Sequence, residues 1–554
     1  MSRKYIKIII AAATALLPAM VNAQAVKDST LTRTVVVENQ YAPTIEKAVK
    51  ISKMPDVGRK IEERTGVEYA EGYTIIDRWA TPPLSPVHNE SSLSPLSDGR
   101  SWLSGNIEKY CAGAAKTFFI SKSNRFAFNL FHNGKVQEHK IDNIDGANKW
   151  NQRRFDTGAY FSYQHKYDSS VLKLEGDFTN SVFNYINFNN DDTEPSGGSN
   201  QHHLWGGVKA SYSKPAADRP LGYRLQAGYK FFDQKHPYGY QKSNTEYIIH
   251  TAADFQVRLG ENLLLTLGEE MDNMLYSAIE RTNRTSICSN PCIEYKSDDW
   301  RLRLGAHVDV LTAHDGGLEA APDVSAEFLG IDHAVIYIEA GGGRELNTLH
   351  HINNHTIYWN NKDFQPTYNT LDARAGFRMS PMAGMWFNLY GGYRITENEL
   401  FFTDPHGLEA GRGLRRADIL QGKAKVPNFG AEVRYNYRDI FITSLSVEGC
   451  DYRIDNLDNS DLDYILGNKP KLDVNFMANA SITTRLRVGG GWRYIQRHGN
   501  YTEDYNNLHI NTAYDIFKWL TATASATNIL NKKCYRYGYP EEKIAATIGV
   551  IARF

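Results

Sequence analysis

Basic side chains recur at alternate positions of several segments whose other positions are apolar. The set comprises Arg224, Lys230, Arg301, Arg303, Arg374, Arg485, Arg487 and Arg493. Alternation in an extended chain places such side chains on one face, and rings of basic side chains favour anionic solutes. Acidic residues such as Asp372 and Asp473 lie in the same segments. The pattern therefore predicts either an anion-selective lumen or a lumen packed with paired charges.

Two of the five cysteines stand close together, in the sequence Cys288-Ser-Asn-Pro-Cys292. The residues between them are typical of a turn, and a small disulfide there would persist in an oxidising compartment. A metal site is the weaker alternative, because no second Cys or His pair follows at zinc-finger spacing. We therefore predict a disulfide between Cys288 and Cys292.

Catalytic and cofactor signatures are missing from the sequence. It contains no HExxH, GxSxG or GxxxxGKS/T motif, so the common metalloprotease, hydrolase and P-loop chemistries find no support. The paired histidines His202-His203 and His350-His351, with His355, fall in predicted outer loops, where we expect exposed side chains. Lys and Arg total 62 and Asp and Glu 63, which argues against a nucleic-acid partner. We predict a non-enzyme without a cofactor or a metal.

The N-terminus has the pattern of a secretory signal. A basic start (Arg3, Lys4 and Lys7) precedes a short apolar stretch, and small residues around Ala23 suit cleavage. We predict a signal peptide over residues 1–23 and a mature chain outside the cytoplasm.

Residues 24–99 differ from the rest of the chain. They are rich in proline and end in a serine-rich stretch from Ser85 to Ser97, a composition that favours an extended segment. We predict a periplasmic or lumenal segment that acts as a plug of the lumen or as a periplasmic tether.

From about Asn124 onward, apolar and polar residues alternate. In Trp300–Val310, for example, Leu302 and Leu304 alternate with Arg301 and Arg303. Each such segment has about 9 to 13 residues, near the length of a tilted strand that crosses a bilayer. The 33 Tyr, 24 Phe and 9 Trp residues suit the two membrane interfaces. Residues 100–554 are therefore predicted to form an all-β, transmembrane antiparallel up-and-down β-barrel; a secreted all-β protein is the alternative.

Turn positions refine this prediction. Tight turns are predicted at Lys166–Ser170, Gly260–Asn262, Ser380–Ala383, Arg438–Asp439 and Thr483–Thr484, and long connections include Asp272–Asp298 and Gly343–Tyr368. The raw count is about 19 strands, whereas bacterial barrels usually have an even number. Strand directions disagree near Trp300–Gly330, so one strand there is missed or spurious. We predict 16–18 strands.

The C-terminal residues resemble those of TonB-dependent receptors. The relevant stretches are Asn528-Ile529-Leu530-Asn531-Lys532-Lys533, Tyr535-Arg536-Tyr537-Gly538-Tyr539-Pro540 and Ala552-Arg553-Phe554. The chain has too few residues before the barrel for that family's plug domain, and Tyr41–Ile45 also resembles the pre-barrel segment of smaller, plugless Gram-negative members. The resemblance implies an outer-membrane location and recognition of Phe554 by the barrel-assembly machinery.

A short stretch near the start of the mature chain, Thr34, Val35, Val36 and Val37, resembles a TonB box. Such a box pairs as an added strand with the energy-transducing partner. Packing into the barrel or onto another partner is the alternative.

Two functions are therefore expected. The first is a channel or transporter for a small solute, and the second is a structural or accessory subunit of an outer-membrane complex. Expected partners are outer-membrane lipid and lipopolysaccharide, the barrel-assembly machinery, and TonB or other outer-membrane proteins.

Overall fold

The computed structural model describes residues 99–140, 149–186, 200–215, 221–236, 243–277, 281–312, 316–359, 363–403, 417–438, 440–455, 465–498 and 503–554. The predicted signal peptide 1–23, nearly all of the segment 24–99 and the stretch Thr34–Val37 lie outside these residues.

Twenty-two long strands form one sheet, which also includes the two-residue strand Arg453–Ile454 as its twenty-third member. In chain order the long strands are β1 (Gly99–Gly105), β2 (Lys109–Phe119), β3 (Asn124–Lys140), β4 (Lys149–Lys166), β5 (Val171–Asn184), β6 (Asn200–Lys214), β7 (Leu221–Gln234), β8 (Asn244–Arg258), β9 (Leu263–Tyr276), β10 (Arg284–Lys296), β11 (Trp300–Thr312), β12 (Leu318–Ile331), β13 (Ala334–Glu345), β14 (Thr367–Met379), β15 (Met385–Thr403), β16 (Asp418–Tyr437), β17 (Phe441–Cys450), β18 (Pro470–Ser481), β19 (Leu486–Arg497), β20 (Tyr505–Phe517), β21 (Leu520–Thr527) and β22 (Ala545–Arg553). The only helix of three or more residues among the described residues is α1 (Leu349–His355).

The sheet closes on itself. Each long strand pairs antiparallel with the next along the chain, and β22 pairs with both β21 and β1, in the register Arg100↔Arg553 to Gly105↔Ile548. Closure leaves no unpaired strand edge, as the hydrocarbon interior of a bilayer requires. The predicted all-β, antiparallel up-and-down barrel is confirmed.

The predicted count of 16–18 strands is wrong, because the barrel has 22. One missed strand is β10, which lies inside the predicted connection Asp272–Asp298 and explains the conflict in strand directions. Pro291 obscured it, since proline is unusual within a sheet. The pairing of β10 with β11 runs from Thr285 to Ser289 and resumes at Cys292. Pro291, which has no N–H to donate, lies in the gap between these two paired stretches.

Alternation gives the barrel an apolar outer face and a polar inner face. Leu302 and Leu304 are 40% and 68% exposed on the outside, whereas Arg303 between them faces inward and pairs with Asp323. The predicted tight turns all fall at or between the ends of consecutive strands. Gly99 and Phe554 lie at the same end of the barrel as these turns. Long connections, of which the structure describes residues 346–359, 363–366 and 528–544, lie at the opposite end. Among the described residues, none belongs to a helix of sufficient length and apolarity to traverse a bilayer.

Candidate transport lumen and its cap

Two long connections fold inward over the barrel interior. We call residues 346–359 and 363–366, together with residues 528–544, the cap. Leu349 and Ile352 are 0% exposed, and Trp359 is 1% exposed. They pack in one cluster with side chains of the barrel wall, so burial of apolar surface holds these connections inside the mouth of the barrel.

Helix α1 begins the cap and is anchored by polar contacts. The Thr348 hydroxyl accepts a hydrogen bond from the His351 N–H at 3.0 Å, which caps the helix N-terminus. The Glu246 carboxylate on β8 accepts from the Leu349 N–H at 2.8 Å. On β6, His203 Nδ1 lies 2.7 Å from Asn353 Oδ1. These bonds fix the helix against the inner wall of β6 and β8.

The cap histidines lie inside the mouth rather than in exposed loops as expected. His350 packs on Trp205 and Phe232, with ring centroids 5.8 Å and 6.3 Å apart. Burial, with a smaller effect of the nearby Lys230 charge, lowers the pKa of His350 to about 4. His350 is therefore neutral near pH 7 while the cap is in place.

The two connections meet through aromatic rings. Tyr358 stacks on Tyr539, and Trp150 of β4 contacts both edge-on, with centroids 6.1 Å and 5.3 Å away. The Tyr539 hydroxyl accepts from the Ile186 N–H at 3.3 Å, and Gln152 donates to the Tyr358 hydroxyl at 3.1 Å. Burial raises the pKa of Tyr358 to about 12. The stack joins the two halves of the cap.

Charged contacts attach the cap to distant strands. Arg284 of β10 donates to both Asp363 oxygens at 2.7 Å, and Glu542 pairs with Lys109 of β2 at 2.9 Å and Lys135 of β3 at 3.6 Å. Burial acts to raise the pKa of Glu542, but the two ammonium groups together hold it below its usual value. Polar anchors on β2, β3, β4, β8 and β10, together with the apolar contacts of Leu400 and Phe402 on β15, place the cap against opposite sides of the barrel interior.

Seven of the eight basic residues predicted to line the lumen lie on inner-face positions of strands, and six of them form ion pairs. The pairs are Arg224–Asp254, Arg301–Glu327, Arg303–Asp323, Arg374–Asp372, Arg487–Asp515 and Arg493–Asp473, with N–O distances of 2.7 to 3.8 Å. Lys230 is the seventh. The prediction for Arg485 is wrong, since it lies exposed in the turn before β19. The inner wall is a network of paired charges, not a uniformly basic ring.

The predicted Cys288–Cys292 disulfide is also wrong. Both thiols are free, and both residues lie on the inner face of β10, four positions apart. An extended strand separates such residues by about 13 Å, well beyond the Cα separation of about 7 Å that a disulfide can bridge. The turn-like Ser-Asn-Pro sequence misled both the disulfide prediction and the strand count.

The C-terminal Phe554 lies where the barrel closes. Its N–H donates to the Gly99 carbonyl at 3.0 Å, and the Lys116 ammonium lies 4.6 Å from its ring centroid. The side chain is 59% exposed. The terminal aromatic is thus presented at the seam between β1 and β22.

A cluster that sequence analysis missed lies on the inner wall beneath the cap. It consists of His250 on β8 with Glu270 and Asp272 on β9, whose ligand atoms all lie within 4.8 Å of one another. The three residues come from two strands with unremarkable spacing, so no motif connects them. Only the strand register brings them together.

Solved structures share this architecture. The chain is similar to the ferric enterobactin receptor of Pseudomonas aeruginosa, with a TM-score of 0.62 and 10% identity over 82% of this chain and 80% of that one. The siderophore receptor PirA of Acinetobacter baumannii gives a TM-score of 0.62 and 11% identity, over 82% and 80%. The copper transporter OprC gives 0.59 and 12%, over 83% and 81%.

The barrel has the TonB-dependent receptor fold. At these identities the similarity concerns the fold alone, and no protein-family model and no curated relative matches the chain.

Proposed function

We propose that this chain is a gated outer-membrane transporter for a small solute. The cap supports this proposal most, because two connections of the barrel fold over a polar inner wall. They are held there by stacking, hydrogen bonds and ion pairs, all of which can release. A lumen enclosed by 22 strands is wide enough to need a plug or a gate. In this proposal the cap is the gate on the side of the long connections.

The proposal also assigns roles to the N-terminal residues. Residues 1–23 direct the chain across the inner membrane, and residues 24–99 plug the lumen or reach into the periplasm. Residues Thr34–Val37 pair with TonB as an added strand, and this coupling drives release of the gate or plug.

An accessory role is the second candidate, and the outer face of β9 and β10 favours it. Glu269 and Asn273 are outer-face residues of β9. They lie next to Leu267 and Leu275, which are 39% and 42% exposed. The Ser289 hydroxyl donates to Glu269 at 2.7 Å. A carboxylate on a lipid-facing strand position is costly, whereas a neighbouring outer-membrane protein would offer it polar partners.

Single-channel conductance separates the two candidates. The full-length protein is compared in a planar bilayer with a variant that lacks residues 24–98. Transport with a plug predicts current only after the deletion, and a passive pore predicts current in both proteins. Absence of current in both, and in the deletion variant with its cap also loosened by Tyr358→Ala, would reject transport. Affinity purification of stable outer-membrane partners would then test the accessory role.

A further inference from the structure

We infer that His250, Glu270 and Asp272 form a binding site for a divalent transition-metal ion on the inner wall of the barrel. The inference concerns binding and holds whether or not the ion is carried across the membrane. It replaces the sequence-based expectation that the protein has no metal site.

The strand register creates the site. His250 on β8 stands directly opposite Asp272 on β9, and Glu270 is the adjacent inner-face residue of β9. His250 Nδ1 lies 2.9 Å from an Asp272 oxygen and 3.7 Å from a Glu270 oxygen. A single ion at about 2.0 to 2.2 Å from each donor fits between atoms at these separations.

The donor set indicates the class of ion. One imidazole nitrogen and two carboxylates suit ions of the Zn²⁺, Fe²⁺ and Mn²⁺ type better than soft monovalent copper, which prefers thiolate and thioether ligands. Three protein ligands leave one position open, as in catalytic rather than closed structural zinc sites. The open position would be filled by water or by a donor of a chelating solute.

The neighbouring wall carries further groups with affinity for metals. Cys288 on β10 stands directly opposite Glu270 in the register, and its Sγ lies 3.7 Å from His307 Nδ1 on β11. Asp309, which is 1% exposed, is the partner of Cys288 on β11. A row of nitrogen, oxygen and sulfur donors therefore continues along the inner wall away from the three-residue site.

The charges that face the site favour a cation. Glu270 and Asp272 supply two negative charges, and Lys230 of β7 is the nearby ammonium. A divalent ion would neutralise both carboxylates.

The site lies beneath the cap. The inner-face residues of the row above are Ile248 and Met274, which cluster with Leu311 and with Leu346 of the cap. The site is therefore the first polar row below this apolar layer.

Binding of Zn²⁺ and Co²⁺ to the purified full-length protein in detergent tests the inference. Calorimetry should give one tight site, and Co²⁺ should show the visible absorption of a low-symmetry nitrogen and oxygen site. We expect His250→Ala, Asp272→Asn and Glu270→Gln each to weaken binding by roughly tenfold or more. The Glu270→Gln protein matters most, because the Glu270 side chain is 54% exposed and its replacement leaves packing intact.

Two matched controls complete the design. Asp254→Asn removes an inner-face carboxylate further along β8, and His351→Ala removes a cap histidine; neither should change the affinity. Heat-modifiable migration on gels verifies that each barrel is folded. Equal affinity in wild type and the Glu270→Gln and His250→Ala proteins would overturn the inference, as would an equal loss in the two controls.

Discussion

The ring of Tyr358 lies on that of Tyr539, with centroids 3.6 Å apart and planes inclined by 6°. One tyrosine comes from the connection after β13 and the other from the connection before β22. Both are buried, and Trp150 packs against the pair. Aromatic pairs contribute about 0.5–1.5 kcal/mol beyond their buried area. The contact therefore couples the two connections directly.

Loss of this stack should loosen the cap. We expect Tyr358→Ala and Tyr539→Ala each to raise the open probability in planar bilayers, in a protein that also lacks residues 24–98. The double variant should show less than the sum of the two effects, because each single change already breaks the same contact. Tyr539→Phe is the control: it retains the ring and removes the hydroxyl that accepts the hydrogen bond from Ile186. Unchanged conductance in both alanine variants would show that the stack does not control access to the lumen.

The fold class could be predicted because alternation is local. A segment such as Trp300–Val310 displays both faces of its strand in its own sequence. The predicted strand count was wrong where residues that favour a turn lie within a strand of the folded sheet. In β10, Asn290 and Pro291 favour a turn, yet pairing with β9 and β11 keeps the segment extended.

The cap and the metal cluster were beyond prediction for a different reason. Tyr358 and Tyr539, and likewise His250 and Asp272, become neighbours only through long-range contacts or register. The ion pairs were partly foreseen, since Asp473 lies on the same kind of alternating face as Arg493. Arg485 was misplaced because a turn begins at Ile482, and side chains in a turn do not keep the strand alternation.

The cysteines give a direct chemical prediction. Thiol titration of the protein, denatured without reductant and purified under conditions that exclude oxidation, should count five free thiols. A disulfide between Cys288 and Cys292 would reduce the count to three. We also expect Cys292→Ser to leave heat-modifiable migration unchanged with or without reductant. A reductant-dependent shift in wild type that Cys292→Ser abolishes would contradict the free state of these thiols.

Acidification should loosen the cap through His350. Its pKa is about 4 in the packed cap and about 6.5 when exposed, so the open form binds more protons between these values. The contribution of neutral His350 to closure is complete above about pH 6.5 and declines as the pH falls toward about 4. Hydrogen exchange in residues 346–359 should therefore accelerate from pH 7 to pH 5, after correction for intrinsic rates. His350→Gln should remove much of this pH dependence; an identical dependence would assign it to other groups.

Phe554 offers a test of barrel assembly that does not depend on transport. Its ring at the seam of β1 and β22 is 59% exposed, so its removal should affect recognition more than stability. We expect Phe554→Ala to reduce the amount of folded protein in the outer membrane severalfold and Phe554→Trp to restore most of it. Trp519→Ala is the matched control, because Trp519 is also exposed, at 55%, at the same end of the barrel. Fractionation and heat-modifiable migration give both readouts. Equal losses for Phe554→Ala and Trp519→Ala would indicate a general effect of aromatic residues at this end rather than a C-terminal signal.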